Sequence, residues 1–208
     1  VWDACSDMND YVYFNFDAES RRNLFSNGSV QTGDFYALKE CIGINNEDED
    51  VKLFEILEKN NLPEDFPKEE RQAKEKYKSV VDFPNFLLQV LKLEYDDVSL
   101  DDKGLLKSFN EKTVEPKGFI FRLLKYRAIF DKYIIKQDLS DSDEEKQNWS
   151  VRTLNTSLDD VARTYENDYD ELIKLQTMLY YSNPSSPNNN WVQKILKEEY
   201  YERTSTEF

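Results

Sequence analysis

The chain has 208 residues, with 27 basic against 42 acidic side chains and no histidine. A net charge of −15 repels nucleic acid and anionic lipid alike. Without histidine there is no Ser-His or Cys-His nucleophile, no histidine-ligated zinc and no histidine-dependent nuclease site.

In chain order, Trp2, Tyr11, Tyr13, Phe14 and Phe16 form a dense aromatic opening that reads as an extended segment or short helix. Asp17 caps a predicted helix that runs through Phe25 and ends at Asn27-Gly28-Ser29, and a second helix covers Asp34 to Cys41. Residues 45–70 hold ten acids against three lysines, with Val51, Phe54, Ile56, Leu57 and Leu62 on one helical face. Such a run reads as a solvated face plus loop in preference to a docking strip for a basic partner. Glu69 to Val81 is expected as a lysine-rich helix, followed by a strongly apolar one over Asn85 to Glu94 with Pro84 in its first turn. Ser99 is the expected N-cap of the next helix, with Asp102 at its third position, and Ser157 to Asp160 repeats that start signal.

Glu115 to Lys136 is the longest predicted helix, and Ser140 to Gln147 reads as a mobile surface loop. Helices over Tyr169 to Tyr181 and Trp191 to Arg203, joined by a Pro/Ser/Asn connector, complete the chain. The fold class is all-α, a multi-helix orthogonal bundle with room for a short strand pair in the first segment or at Trp149 to Leu154. Phe86, Leu87, Leu91, Leu123 and Phe130 are the expected core.

Several chemistries fail on spacing. The five glycines never approach a phosphate-binding pattern. Cys5 and Cys41 are too few for a zinc cluster and read as two buried free thiols. Asp141, Asp143 and Glu145 open like a calcium loop, but Lys146 stands where the turn needs glycine and Arg152 where a bidentate glutamate belongs. No pair among 42 acids is singled out for catalysis. The reading therefore has no cofactor, no metal and no catalytic residue. Without an apolar run near 18 residues or a signal-peptide pattern, it is a soluble cytoplasmic protein with no membrane partner. The start at Val1 rather than Met fits a segment of a longer protein.

The one basic feature is the long helix, whose residues 115–136 carry six Lys or Arg against two acids. On a straight helix Arg122, Lys125, Lys132 and Lys136 form one stripe, the candidate nucleic-acid-binding residues, opposite Phe119, Leu123, Tyr126, Phe130 and Tyr133. The stripe either touches nucleic-acid backbone or bridges to the protein's own acidic surface, and the net charge favours the second. Trp191, Tyr200 and Tyr201 read as packing in preference to a base-stacking platform.

Four stretches are more specific than their physics requires: Trp2 to Val12, Phe83 to Leu91 with Val98 to Lys103, Phe130 to Lys136, and Leu175 to Leu179 leading to Asn190-Trp191. In this order they resemble the middle of GmrSD-type proteins, the modification-dependent (type IV) restriction endonucleases and their bacterial relatives. Those join an N-terminal ParB-like domain bearing a D-G-Q-Q-R motif to a C-terminal His-Me finger nuclease. Neither motif occurs here, so no catalytic residue carries over. The resemblance implies that residues 1–44 end the preceding ParB-like domain or extend its packing, and that residues 45–208 form the α-helical central domain. It implies a non-catalytic module of a phage-defence protein that positions or couples the nucleotide-using and nuclease domains. The partners would be those flanking domains, with DNA contact only in the full-length protein and a homo-oligomer allowed. The alternative is an independent acidic protein–protein interaction module.

Overall fold

The structure is a computed structural model that describes residues 1–26, 29–43, 76–139, 148–155, 160–163, 170–182 and 190–206. The expected acidic run at 45–70, the loop at 140–147 with its calcium-like acids, and the boundary at residue 44 lie outside these residues. The architecture is mostly helical, with 63% of the interpretable residues in helices. It is not purely α, because among the described residues seven short strands form three small antiparallel sheets.

The opening segment is a strap made of α1 (Trp2–Ser6) and a 3-10 turn (Val12–Asn15). Asp17 then caps α2 (Ala18–Leu24) by accepting from the Glu19 and Ser20 amides, and its carboxyl is held below the usual range chiefly by the Ser20 hydroxyl. The helix ends in an antiparallel pair, β1 (Phe25–Ser26) with β2 (Ser29–Val30), before Asp34 caps α3 (Phe35–Cys41). Gly43, at φ 69°, takes the left-handed position after α3 that glycine tolerates best.

At Tyr77–Ser79 the expected lysine-rich helix is a strand, β3. Tyr77 is buried and Lys78 exposed, and such a short alternating stretch pairs with a neighbour more readily than it propagates a helix. Asp82 caps α4 (Phe83–Lys92) through the Asn85 amide, with Pro84 in the first turn. The next start signal is displaced. Asp101, not Ser99, caps a 3-10 turn (Asp102–Gly104) that leads into α5 (Leu105–Glu111), while the Ser99 hydroxyl accepts from the Asp101 amide.

The longest of the central helices, α6 (Pro116–Tyr133), is capped by Glu115, which accepts from the Lys117 and Gly118 amides. A Cβ at Gly118 would come within 2.7 Å of that carboxylate, so a larger residue there would make the Glu115 side chain shift. The helix stops three residues short of Lys136. Ile134 and Ile135 are β-branched and buried, and they turn the chain into β4 (Lys136–Asp138). β4 is the centre of the order β3-β4-β5, with β5 at Trp149–Ser150; Lys136 faces Ser79 on one side and Ser150 on the other. β6 (Arg152–Asn155) pairs with β7 (Asp160–Arg163), so the second expected helix start at Ser157 to Asp160 leads into a strand. The chain closes with α7 (Asp170–Ser182) and α8 (Asn190–Thr206).

One cluster of buried residues joins the strap, α4, α6 and α8, and includes Phe86, Leu87, Leu91, Leu123 and Phe130, as expected. Phe86 and Phe130 meet edge to face at 5.5 Å. Among the described residues no helix is long and apolar enough to cross a membrane.

Candidate functional site

The basic stripe does not survive folding as a stripe. Arg122 donates to Glu94 Oε2, two residues past the end of α4, at 2.6 Å. Lys125 and Lys132 are half-buried, and the Lys132 ammonium lies 5.1 Å from the Tyr133 ring centroid. Lys136 leaves the set altogether: it is on β4 and fully buried. A helical wheel drawn through 136 assumes helix where Ile134 and Ile135 have already ended it, so Lys136 is withdrawn from any nucleic-acid contact by this chain.

What α6 builds instead is a buried ionic centre that the sequence reading missed. Arg127, Asp131 and Lys136 have fully buried side chains; the carboxylate bridges the Arg127 guanidinium and the Lys136 ammonium, the latter at 2.9 Å. The strap supplies the remaining partners from its main chain. Arg127 donates to the carbonyls of Cys5 (3.3 Å), Asp7 (2.8 Å) and Asp10 (2.7 Å). Lys136 donates to those of Met8 (3.0 Å) and Asp10 (2.6 Å), while Asp131 Oδ2 accepts from the Val12 amide at 2.7 Å. All three Lys136 protons therefore have acceptors, the condition under which a buried charge is tolerable.

The surroundings complete this solvation. The Tyr11 ring lies 4.4 Å from the Lys136 ammonium and stacks edge to face on Tyr77, over which sits Arg152, itself paired with Asp138. Burial lowers the Lys136 pKa to about 8 although Asp131 opposes the shift. Burial raises the Cys5 thiol to about 12 against the pull of Arg127, and raises Tyr11, with Asp131 adding to the rise. Cys5 is a buried free thiol and Cys41 a half-buried one. The missed signal was legible: Arg127 and Asp131 follow Leu123 at successive intervals of four, placing two charges on the apolar face of the helix.

On its other side the same turn is held by α7. Gln176 is buried; its carbonyl accepts from the Ile135 amide at 3.2 Å and its amide donates to the Tyr133 carbonyl at 2.9 Å. The outward side of α7 carries Leu175, Met178 and Tyr181, all exposed, beside an aromatic group of Trp149, Tyr180 and Tyr181. Trp191 is half-buried, which fits packing; the side chains of Tyr200 and Tyr201 lie outside the described residues.

The ionic centre has the geometry of a framework, since its donors and acceptors are spent on one another and on the main chain of the strap. Among the described residues no group of three or more His, Cys, Asp or Glu side chains is placed to hold a metal. Comparison with protein-family models, with curated proteins and with solved structures finds no match.

Proposed function

We propose that this chain is the non-catalytic helical module of a modification-dependent, phage-defence restriction protein, where it holds a nucleotide-using domain and a nuclease domain in register. One observation carries the reading. Residues from each of the four stretches that resemble GmrSD-type proteins, far apart in sequence, come together along Phe130 to Lys136. Trp2 to Val12 supplies the carbonyls, Phe130 to Lys136 the charges, Leu175 to Leu179 supplies Gln176, and Phe83 to Leu91 supplies the ring against Phe130. Residue patterns spent on internal support are what a spacer between active domains needs. The reading carries with it a cytoplasmic module, built as an orthogonal helical bundle with small hairpins, and partners within the same polypeptide.

The alternative is an independent acidic interaction module, favoured by the exposed Leu175, Met178 and Tyr181 on α7. Coding context separates the two: the first requires a D-G-Q-Q-R motif upstream and a histidine-bearing nuclease motif downstream. Purified residues 1–208 should leave plasmid and modified phage DNA intact with any divalent metal. Cutting above a mock preparation would overturn the first reading.

A further inference from the structure

The turn between α6 and β4 is gripped from two sides by elements whose polar contacts it mediates. On one side, Lys136 binds the strap carbonyls of Met8 and Asp10, and Asp131 binds the Val12 amide. On the other side, Gln176 of α7 closes on Tyr133 and Ile135, each an immediate or near neighbour of those charges. Every one of these bonds involves main chain, so each depends on the path of the backbone and not on which side chain the other element carries. A displacement of residues 133–136 that suits one clamp misplaces the other, because two adjacent peptide units cannot shift independently. Packed, fully hydrogen-bonded segments of this kind switch between discrete positions in preference to deforming gradually.

We propose that Tyr133–Lys136 is a two-sided joint through which docking of the N-terminal strap and docking of α7 favour each other. The strap side contributes the acceptors that solvate two buried cations. If it lifts, Lys136 and Arg127 lose five hydrogen bonds to four carbonyls while keeping one carboxylate, and the turn loses the anchor that fixes the Ile135 amide toward Gln176. If α7 lifts, the Ile135 amide and the Tyr133 carbonyl lose their side-chain partners, and the strand start that aims Lys136 at the strap is freed. In the parent protein this is the route by which a movement ahead of the strap reaches the helices that follow β4; that extension alone rests on the function proposed above.

Native-state hydrogen exchange on the full chain tests it. Gln176→Asn keeps the amide but retracts it by one methylene, and it should speed exchange of the Val12 amide about tenfold or more, within the usual range of coupling between sites. Lys136→Met should reciprocally speed exchange along α7, as linkage demands. Should Lys136→Met fail to fold, Asn9→Ala loosens the strap from the other flank by removing the acceptor for the Ser79 amide. Amides of α4, which meets the strap and α6 through the ring pairs Trp2–Phe83 and Phe86–Phe130 and takes no part in the clamp bonds named above, should not change. Faster exchange confined to the mutated clamp overturns the joint, and so does a uniform rise that includes α4. Either result leaves the proposed function standing, since coding context decides that separately.

Discussion

Arg122 and Arg127 stand on the same helix, and each closes a salt bridge, to Glu94 and to Asp131. The surroundings differ completely. Arg122 and Glu94 are 32% and 37% exposed at their side chains, whereas Arg127 and Asp131 are 0%. Around Arg122 the same style recurs: Lys112 with Asp97 at 2.6 Å, Lys197 with Asp96 at 3.3 Å, each with a largely solvated carboxylate. The Asp97 carboxyl is held below its usual range chiefly by the Lys112 hydrogen bond, yet it remains in water. The lesson is that an ion pair's distance says little about what it does. The exposed pairs exchange one set of polar contacts for another and contribute little. The buried centre has no water to fall back on, so each member depends on all the others and on the strap.

The largest expected effect breaks the buried region. Asp131→Ala leaves two cations in the core with carbonyls alone and strips the Val12 amide of its acceptor. It should cost about 3–5 kcal/mol, a large share of the stability of an ordinary domain. Chemical denaturation of the purified variant measures it. A loss below about 1 kcal/mol would mean that the centre behaves like the exposed pairs.

A smaller effect appears in the pH profile, and only the buried region should produce it. Lys136 titrates near 8 in the folded chain, below its ordinary 10.5, so the unfolded chain binds more protons between those values. Stability therefore rises as pH climbs through that window. Arg127, Asp131 and Asp10 face the ammonium and set the size of the rise. Cys5 acts oppositely: its thiol titrates at about 12 against an ordinary 9.0, the folded chain keeps a proton that the unfolded chain loses, and stability falls above about pH 9. Tyr11, shifted upward from 10.0, deepens that fall. The denaturation midpoint should pass through a shallow maximum near pH 9. Lys136→Met should remove the rising limb and Cys5→Ala part of the falling one. A midpoint that declines steadily from pH 8 in the wild-type chain would refute the assignment.

Much of the frame was legible because it rests on local chemistry. Asp17, Asp34 and Asp82 each accept from amides in the first turn of the helix that follows, and Phe86, Leu87 and Leu91 are buried because α4 is apolar nearly all round. The strands were harder. Tyr77–Ser79 is short and its partner, Lys136–Asp138, lies far away in sequence, while Asp160–Arg163 closes a local hairpin on Arg152–Asn155 whose start resembles a helix cap. The ionic centre was lost for a related reason. Counting charge along residues 115–136 registers Arg127 and Asp131 as two more surface groups, and only the strap, more than a hundred residues away, makes burying them tolerable.

The smallest expected effect belongs to Arg122, and it is the sharpest test of the exposed region. The pair with Glu94 joins α6 to the turn just after α4 across a surface that water reaches, so a double-mutant cycle of Arg122→Ala and Glu94→Ala should give a coupling of about 0.2–1 kcal/mol. Added salt should shrink it, since the Debye length falls from about 10 Å at 0.1 M to about 3 Å at 1 M ionic strength and exposed charges are screened accordingly. The same residue bears on nucleic acid. To reach a phosphate, Arg122 must leave Glu94 and approach a polyanion from a chain of net charge −15, so each contact begins at a deficit. Titration of the isolated chain with duplex DNA should therefore show no salt-sensitive complex, and Arg122→Glu with Lys125→Glu should leave that result unchanged. A complex whose affinity falls with salt and vanishes in that double variant, with the fold intact, would move these two residues from internal bridging to DNA contact. It would do so without restoring Lys136, which remains beneath the strap.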